Sequence, residues 1–135
     1  MLLNSGIDLN RYCKRDHYRV YDTMVMHALI DDTIGHDLKS LSKSYLGIDM
    51  VPFKSVFGSQ MRKRTLHDLL LDPENEEVVT NYASLDAFAT FKLFIALRKE
   101  LMQMAGVASA MATYPTLWEY YYKTELPFTK ILWEM

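Results

Sequence analysis

The longest amphipathic pattern in the chain runs from Asp72 to Gly106. Apolar residues recur along it at three- and four-residue steps, which places them on one face of a helix. They are Val78, Tyr82, Leu85, Ala89, Leu93 and Leu97. Asp72 is a favourable N-cap, Pro73 suits the first helical position, and Gly106 can end the helix in a left-handed conformation. The pattern therefore predicts one long helix, from Asp72 to about Met104, as the largest element of the chain.

Shorter helices are predicted by the same kind of signal. Each begins with Asp or Thr at the N-cap position, and two of these residues have an acidic partner three residues later, as in a capping box. The predicted segments are Asp22 or Thr23 to about Asp32, Asp37 to Gly47, Thr65 to Leu71, and Thr116 to Glu125. Pro127 interrupts or restarts the last of them, because proline cannot donate a backbone hydrogen bond.

Alternating apolar and polar positions, which indicate strands, are few. Val20–Tyr21 predicts one short strand, and Val56–Phe57 predicts another within an extended loop from Ile48 to Arg64. The expected fold is predominantly α-helical with at most two or three short strands.

Two polar residues interrupt the apolar face of the long helix. Tyr82 and Asp86 are four residues apart, so their side chains share a face and can reach one point in space. Small residues surround them, namely Ala83, Ser84, Ala87 and Ala89. A carboxylate on a largely buried helix needs compensation, which a metal ion would supply. The alternative, an Asp86 that is solvated or paired with Lys or Arg, stays open at this point.

Composition narrows the function classes. With 135 residues the chain is about one domain, and its net charge of −2 gives no global preference for nucleic acid or membranes. The single Cys13 excludes an internal disulfide framework and suits a reducing compartment, so we expect a cytoplasmic protein, bacterial or from a phage in its host. No signal peptide is visible, and Asp86 and Lys92 interrupt the best candidate for a membrane span.

Two aromatic-containing segments allow more than one interpretation. A local basic cluster lies near the start of the chain and comprises Arg11, Lys14, Arg15, His17 and Arg19, with Tyr12 and Tyr18 among them. It can contact phosphates or form an ordinary solvated loop. Near the other end, Trp118, Tyr121 and Tyr122 follow helical spacing, which favours packing residues over a stacking platform.

Four segments, taken in order, resemble the proofreading 3′–5′ exonuclease domain of family A DNA polymerases, the bacterial DNA polymerase I type. They are VYDTMVMHALID, GHDLKSLSKSYLG, NYASLDAFATFKLF and TELPFTKILWEM. The family shows an Asp-Thr-Met helix, a Gly-x-x-Leu-x-x-Leu-(Ala or Ser) helix, a Tyr-x-x-x-Asp motif on a long helix, and an Glu-Leu-Pro-type segment before the polymerase domain. The resemblance extends over nearly the whole chain.

The resemblance implies a ribonuclease-H-like α/β fold and hydrolysis of DNA from its 3′ end with two divalent metals, Mg²⁺ or Mn²⁺, held by four carboxylates. It implies that Asp86 is a metal ligand and that Tyr82 orients the attacking water. Oxygen ligands suit Mg²⁺ or Mn²⁺ rather than Zn²⁺. Asp22 matches the helix-start Asp of the family, which we interpret as structural.

The chain also departs from the family pattern. The Asp-x-Glu of the first strand and the aromatic-Asp motif expected just before residue 1 are both absent, so three of the four carboxylates are missing. The sequence thus corresponds to the C-terminal part of the fold with an incomplete sheet: residues 1–113 as a partial exonuclease domain and 114–135 as the start of the connection to a polymerase domain. Met1–Leu3 would be the end of a helix.

Three functions of different class follow. The first is part of a proofreading exonuclease whose front half comes from another polypeptide or has been lost. The second is an inactive remnant that binds DNA or a protein, and the third is a small helical interaction domain unrelated to nucleases. Under the first, Mg²⁺ or Mn²⁺ binds only when the front half is supplied, the substrate is a single-stranded DNA 3′ end, and the chain pairs with a complementing polypeptide or self-associates.

Overall fold

The computed structural model describes residues 13–14, 17–18, 20–52, 55, 57–58, 64–109 and 112–134. The expectation for Met1–Leu3 lies outside these residues. So does most of the basic cluster, of which the backbone of Lys14 and His17 is described.

The first two helices begin and end where the cap residues predict. Helix α1 spans Thr23–Ile30, and the Asp22 side chain accepts a hydrogen bond of 2.9 Å from the Met24 backbone N–H. Helix α2 spans Leu38–Leu46, with Asp37 as its N-cap and Gly47 in the left-handed region at φ 68°. Asp22 therefore has the structural role expected of it, because it satisfies an N–H group that the helix itself cannot pair.

A capped short helix leads into the long one. Helix α3 spans Leu66–Leu71, and its N-cap Thr65 accepts from the Asp68 N–H as a capping box requires. Asp72 then caps a 3₁₀ turn, Pro73–Asn75, which continues directly into helix α4, Glu76–Gln103. At 28 residues α4 is the longest element among the described residues, as predicted.

The predicted left-handed end of α4 at Gly106 is wrong. The glycines with positive φ among the described residues are Gly47 and Gly58. The N–H of Gly106 instead donates to the Pro115 carbonyl at 3.1 Å, and a Cβ at Gly106 would lie 1.7 Å from the Tyr114 carbonyl oxygen. Glycine is thus needed because another stretch of backbone passes too close for any side chain.

Past α4 the chain folds back on itself as a narrow antiparallel connection. Ala105 pairs with Thr116 and Ala108 with Thr113, and the Tyr114 N–H donates to the Val107 carbonyl at 2.7 Å. This connection supplies the backbone that approaches Gly106.

The C-terminal segment is helical throughout its described length but changes its pitch. Helix α5 spans Leu117–Tyr120, a π-helical turn spans Tyr121–Glu125, and helix α6 spans Leu126–Glu134. The π turn ends two residues before Pro127, which lacks an N–H and whose ring would clash with a carbonyl one turn back. Pro127 therefore widens the helix here and does not end it.

The strands do not lie where the alternating runs predict. The described residues contain one two-stranded antiparallel sheet, β1 at Cys13–Lys14 and β2 at His17–Tyr18. Val20 and Tyr21 belong to neither strand, and Phe57 is helical, whereas Val56 lies outside the described residues. The predominantly helical fold is confirmed for the described part of the chain.

The chain divides into two compact units, and α4 contributes to both. One unit comprises Met1–His36 with Phe94–Met135, and the other comprises Asp37–Leu93. The buried apolar side chains of the first include Met26, Leu97, Leu101, Tyr121 and Leu126, and those of the second include Leu41, Met50, Phe57, Leu69, Ala89 and Leu93. Each unit thus has its own apolar core.

An aromatic cluster organises the first unit. Trp118 contacts the rings of Tyr21, Phe94, Tyr121 and Tyr122, and the Arg98 guanidinium lies 5.2 Å from its ring centroid. Burial raises the pKa of Tyr121 to about 12, and its hydroxyl oxygen accepts from the Asp22 N–H at 3.1 Å. These contacts agree with packing roles for Trp118, Tyr121 and Tyr122.

Replacing the N-cap residue of α5 tests whether this capping hydrogen bond stabilises the C-terminal helices. Thr116→Ala removes the oxygen that accepts from the Glu119 N–H at 3.3 Å, so the free energy of unfolding is expected to fall by about 1 kcal/mol. Chemical denaturation followed by circular dichroism measures this change. Thr80→Ala, at an exposed position within α4, is the matched control and leaves stability unchanged or slightly higher. Equal losses in both variants would contradict the capping role.

Candidate functional site

Tyr82 and Asp86 line the same cleft. It has a volume of about 270 Å³ and lies in the unit Asp37–Leu93. One wall is the first half of α4 and the other is the segment that follows α2. The lining residues are Met50, Val51, Val78, Asn81, Tyr82, Leu85 and Asp86. The cleft is therefore mainly apolar, with three polar side chains along one helix.

Helical geometry explains why these side chains meet. Tyr82 and Asp86 are one turn apart, so they project in the same direction, and Asn81 and Leu85 form the adjacent row. The local spacing fixes this arrangement without any long-range contact, which is why the sequence could predict the Tyr82–Asp86 pair.

The Asp86 carboxylate is half-buried and has no compensating cation among the described residues, where it forms neither an ion pair nor a side-chain hydrogen bond. Its backbone carbonyl accepts from the Thr90 hydroxyl at 2.7 Å. Burial raises the pKa of the Asp86 carboxyl above its ordinary value. Of the two alternatives to a metal ligand, pairing with Lys or Arg finds no support in the described part of the chain, and partial solvation remains compatible with the exposure of Asp86.

The sequence did not indicate the second wall or Asn81. Met50 is buried and Val51 is exposed, and they come from a segment without a clear helical or alternating period. Asn81 is exposed and lies outside the apolar face from which the site was derived. A single polar residue next to Tyr82, such as Asn81, does not by itself indicate a functional site in the sequence.

Comparison with known proteins identifies the family. The family model described as 3′–5′ exonuclease matches residues 7–102, well over half of the chain. The chain belongs to the 3′–5′ exonuclease family. The match includes Tyr82, Asp86 and every residue that lines the cleft. No curated protein and no solved structure matches the chain.

The described residues of this exonuclease-family chain fit part of a metal site. A half-buried carboxylate without a counter-charge is a suitable oxygen ligand for Mg²⁺ or Mn²⁺. However, no group of three or more His, Cys, Asp or Glu side chains in the described ranges is placed to hold a metal ion. Asp86 is thus a single ligand, and a complete site needs further ligands.

The lengths and hydropathies of the helices in this exonuclease-family chain determine whether any of them could cross a membrane. None of those in the described residues combines the length and the apolar character that crossing a bilayer requires.

The burial of Asp86 predicts an unusual pH dependence of stability. Because its folded-state pKa is raised, the folded chain binds more protons than the unfolded chain above the ordinary Asp pKa of 3.8, so this group destabilises the fold as the pH rises through its folded pKa. Asp86→Asn keeps the shape and removes the charge. We expect a higher melting temperature at pH 7, with the difference from the parent chain shrinking towards pH 4.

Asp32→Asn, at an exposed position outside the helices, is the control for this titration and is expected to leave the melting temperature unchanged. Both variants are compared by thermal unfolding between pH 4 and pH 8. A lower melting temperature for Asp86→Asn at pH 7 would mean that the carboxylate is stabilised by a partner.

Proposed function

We propose that this chain supplies the tyrosine–aspartate element of a 3′–5′ exonuclease that hydrolyses DNA from single-stranded 3′ ends. The observation that carries the proposal is the convergence of Tyr82 and Asp86 in one cleft, with Asp86 half-buried and lacking a counter-charge among the described residues. The family match over residues 7–102 supports the reaction class.

In this proposal each side chain has a separate role. The Asp86 carboxylate would hold a divalent metal, Mg²⁺ or Mn²⁺, and the Tyr82 hydroxyl would orient the attacking water. When bound, the metals supply a more acidic water and charge stabilisation of the leaving oxygen. The apolar walls at Val51 and Leu85 keep bulk water away from the cleft.

The missing carboxylates come, in this proposal, from a complementing polypeptide that carries the front half of the domain, with self-association of the chain as the alternative arrangement. Exposed apolar side chains along α4 support such a partner. They include Val78, Leu85, Phe88 and Phe91, with exposed fractions of 42%, 38%, 52% and 61%. Large apolar side chains that are exposed together mark interaction surfaces.

We also propose a polymerase context for the C-terminal residues. Residues 1–113 form the partial exonuclease domain, and residues 114–135 begin the connection to a polymerase domain. The end of the family match at residue 102 supports this boundary, as do the exposed Phe128, Ile131 and Leu132 on α6.

Complementation tests the proposal. The chain is mixed with a polypeptide that carries the Asp-x-Glu strand and the aromatic-Asp motif of the family, and both sedimentation and digestion of 3′-labelled single-stranded DNA are measured with Mn²⁺ or Mg²⁺. We expect no digestion by the chain alone, because one carboxylate cannot hold two metals, and we expect complex formation with digestion in the mixture.

Two outcomes would oppose the proposal in different ways. Complex formation without digestion would indicate an inactive remnant that serves as a binding module. A monomer that binds neither the front-half polypeptide nor DNA would indicate an independent helical module.

A further inference from the structure

Two histidines outside the cleft form a direct contact in the unit Met1–His36 with Phe94–Met135. His27 lies on α1 and is 1% exposed, and His36 is the half-buried residue just before Asp37, the N-cap of α2. Their Nδ1 atoms are 2.6 Å apart, and their ring centroids are separated by 4.9 Å in an edge-on arrangement. This contact joins α1 to the end of the connection that leads to α2.

A bond between two Nδ1 atoms depends on the number of protons. One Nδ1 must carry hydrogen and donate, while the other must be unprotonated and accept. With both rings neutral, or with only one of them cationic, this condition can be met. When both rings are cationic, two N–H groups face each other and the contact becomes repulsive.

The surroundings determine where this change occurs. Burial and the nearby His36 lower the pKa of His27, while the carboxylates of Asp31 and Glu100 act in the opposite direction. Because the folded-state pKa is lowered, the contact contributes fully above the ordinary histidine pKa of 6.5 and is lost as the pH falls through the folded-state value. The pH window therefore lies below about 6.5.

Residues 31–36 form the segment that this contact holds at one end. At its start the Asp31 N–H donates to the His27 carbonyl at 2.9 Å, and the Asp31 carboxylate accepts from the Thr33 N–H and hydroxyl. At its far end, the bond between His27 and His36 attaches the segment to α1.

We propose that His27 and His36 form an acid-sensitive latch that fastens the 31–36 connection to α1 at neutral pH and releases it on acidification. The latch is a conformational device independent of the Tyr82–Asp86 cleft. It opens because the second proton forces two N–H groups into the same short contact.

Hydrogen exchange on the ¹⁵N-labelled chain tests the latch. The protection factors of the Asp31 and Thr33 amides, corrected for the intrinsic pH dependence of exchange, are compared at pH 7.5 and pH 5.5. We expect about a tenfold loss of protection in the parent chain at the lower pH. His36→Gln can still donate to the His27 Nδ1 but does not titrate, so its protection is expected to change less than about twofold.

His67→Gln is the matched control, since His67 is exposed on α3, and it should behave like the parent chain. A two-bond ¹⁵N–¹H spectrum of the imidazoles at pH 7.5 provides an independent readout and should show one protonated and one unprotonated Nδ1. Equal pH dependence in the parent chain and His36→Gln would overturn the latch. So would a spectrum in which both Nδ1 atoms are already protonated at pH 7.5.

Discussion

In the complemented assembly, Asp86→Ala is expected to reduce digestion of single-stranded DNA by about 10³-fold or more, equivalent to at least about 4 kcal/mol of transition-state stabilisation. The reason is that Asp86 is the only carboxylate that lines the cleft among the described residues. Removing it deletes the metal ligand that the proposed function assigns to this chain. Single-turnover digestion of a 3′-labelled oligonucleotide measures the effect.

Variants at neighbouring positions separate chemistry from folding. Tyr82→Phe removes only the hydroxyl and is expected to lower the rate by about 10- to 100-fold, as for loss of a positioned proton acceptor or donor. Glu77→Gln, on the same helix but outside the cleft, should retain full activity. If Asp86→Ala retained the activity of Glu77→Gln, Asp86 could not be a metal ligand.

Gly106→Ala is expected to destabilise the chain by more than about 3 kcal/mol. The added Cβ would lie 1.7 Å from the Tyr114 carbonyl oxygen, 2.7 Å from the Tyr114 carbonyl carbon and 2.8 Å from that of Pro115. All three are backbone atoms, so no side-chain rotation can relieve the clash. The hydrogen bond from the Gly106 N–H to Pro115 would have to break as the strands separate.

Gly47→Ala is the informative comparison for this loss. A Cβ at Gly47 meets nothing within 4 Å, but the residue has a φ of 68° that side chains rarely adopt. Its expected cost is about 1–2 kcal/mol, from backbone conformation alone. Urea denaturation of both variants gives the difference. A smaller loss at Gly106 than at Gly47 would show that the close approach of residues 114–115 is not maintained in solution.

The sequence could predict features whose cause lies within one helical turn. Asp22, Asp37, Thr65 and Thr116 cap helices because each oxygen reaches an N–H two or three residues later. Tyr82 and Asp86 share a cleft wall for the same reason.

Features that depend on distant residues were not predictable in this way. Gly106 has the sequence signature of a helix C-cap, yet its geometry is set by Tyr114 and Pro115. The opposite wall of the cleft comes from Met50 and Val51, about 35 residues before Asp86. Periodicity within one segment carries no information about which other segment approaches it.

Exposed apolar residues on α4 were only partly predictable. The pattern indicated one apolar face, and the buried Ala89, Leu93 and Leu97 lie on it. Phe88 and Phe91 lie on the other side of the helix and are more than half exposed. Amphipathic analysis does not distinguish a second apolar row that is exposed from one that is buried.

The π turn at Tyr121–Glu125 sets the rotational phase of the last helix. In this turn the Leu126 N–H donates to the Tyr121 carbonyl, five residues back. A regular α-helix would close this turn with one residue fewer, and each residue corresponds to about 100° of rotation. Winding the same residues as a regular α-helix would therefore turn α6 by roughly that angle. Leu126, now buried, would leave the core, and the exposed row of Phe128, Ile131 and Leu132 would point in a new direction. One additional residue in this turn thus determines which side of α6 carries the exposed apolar row.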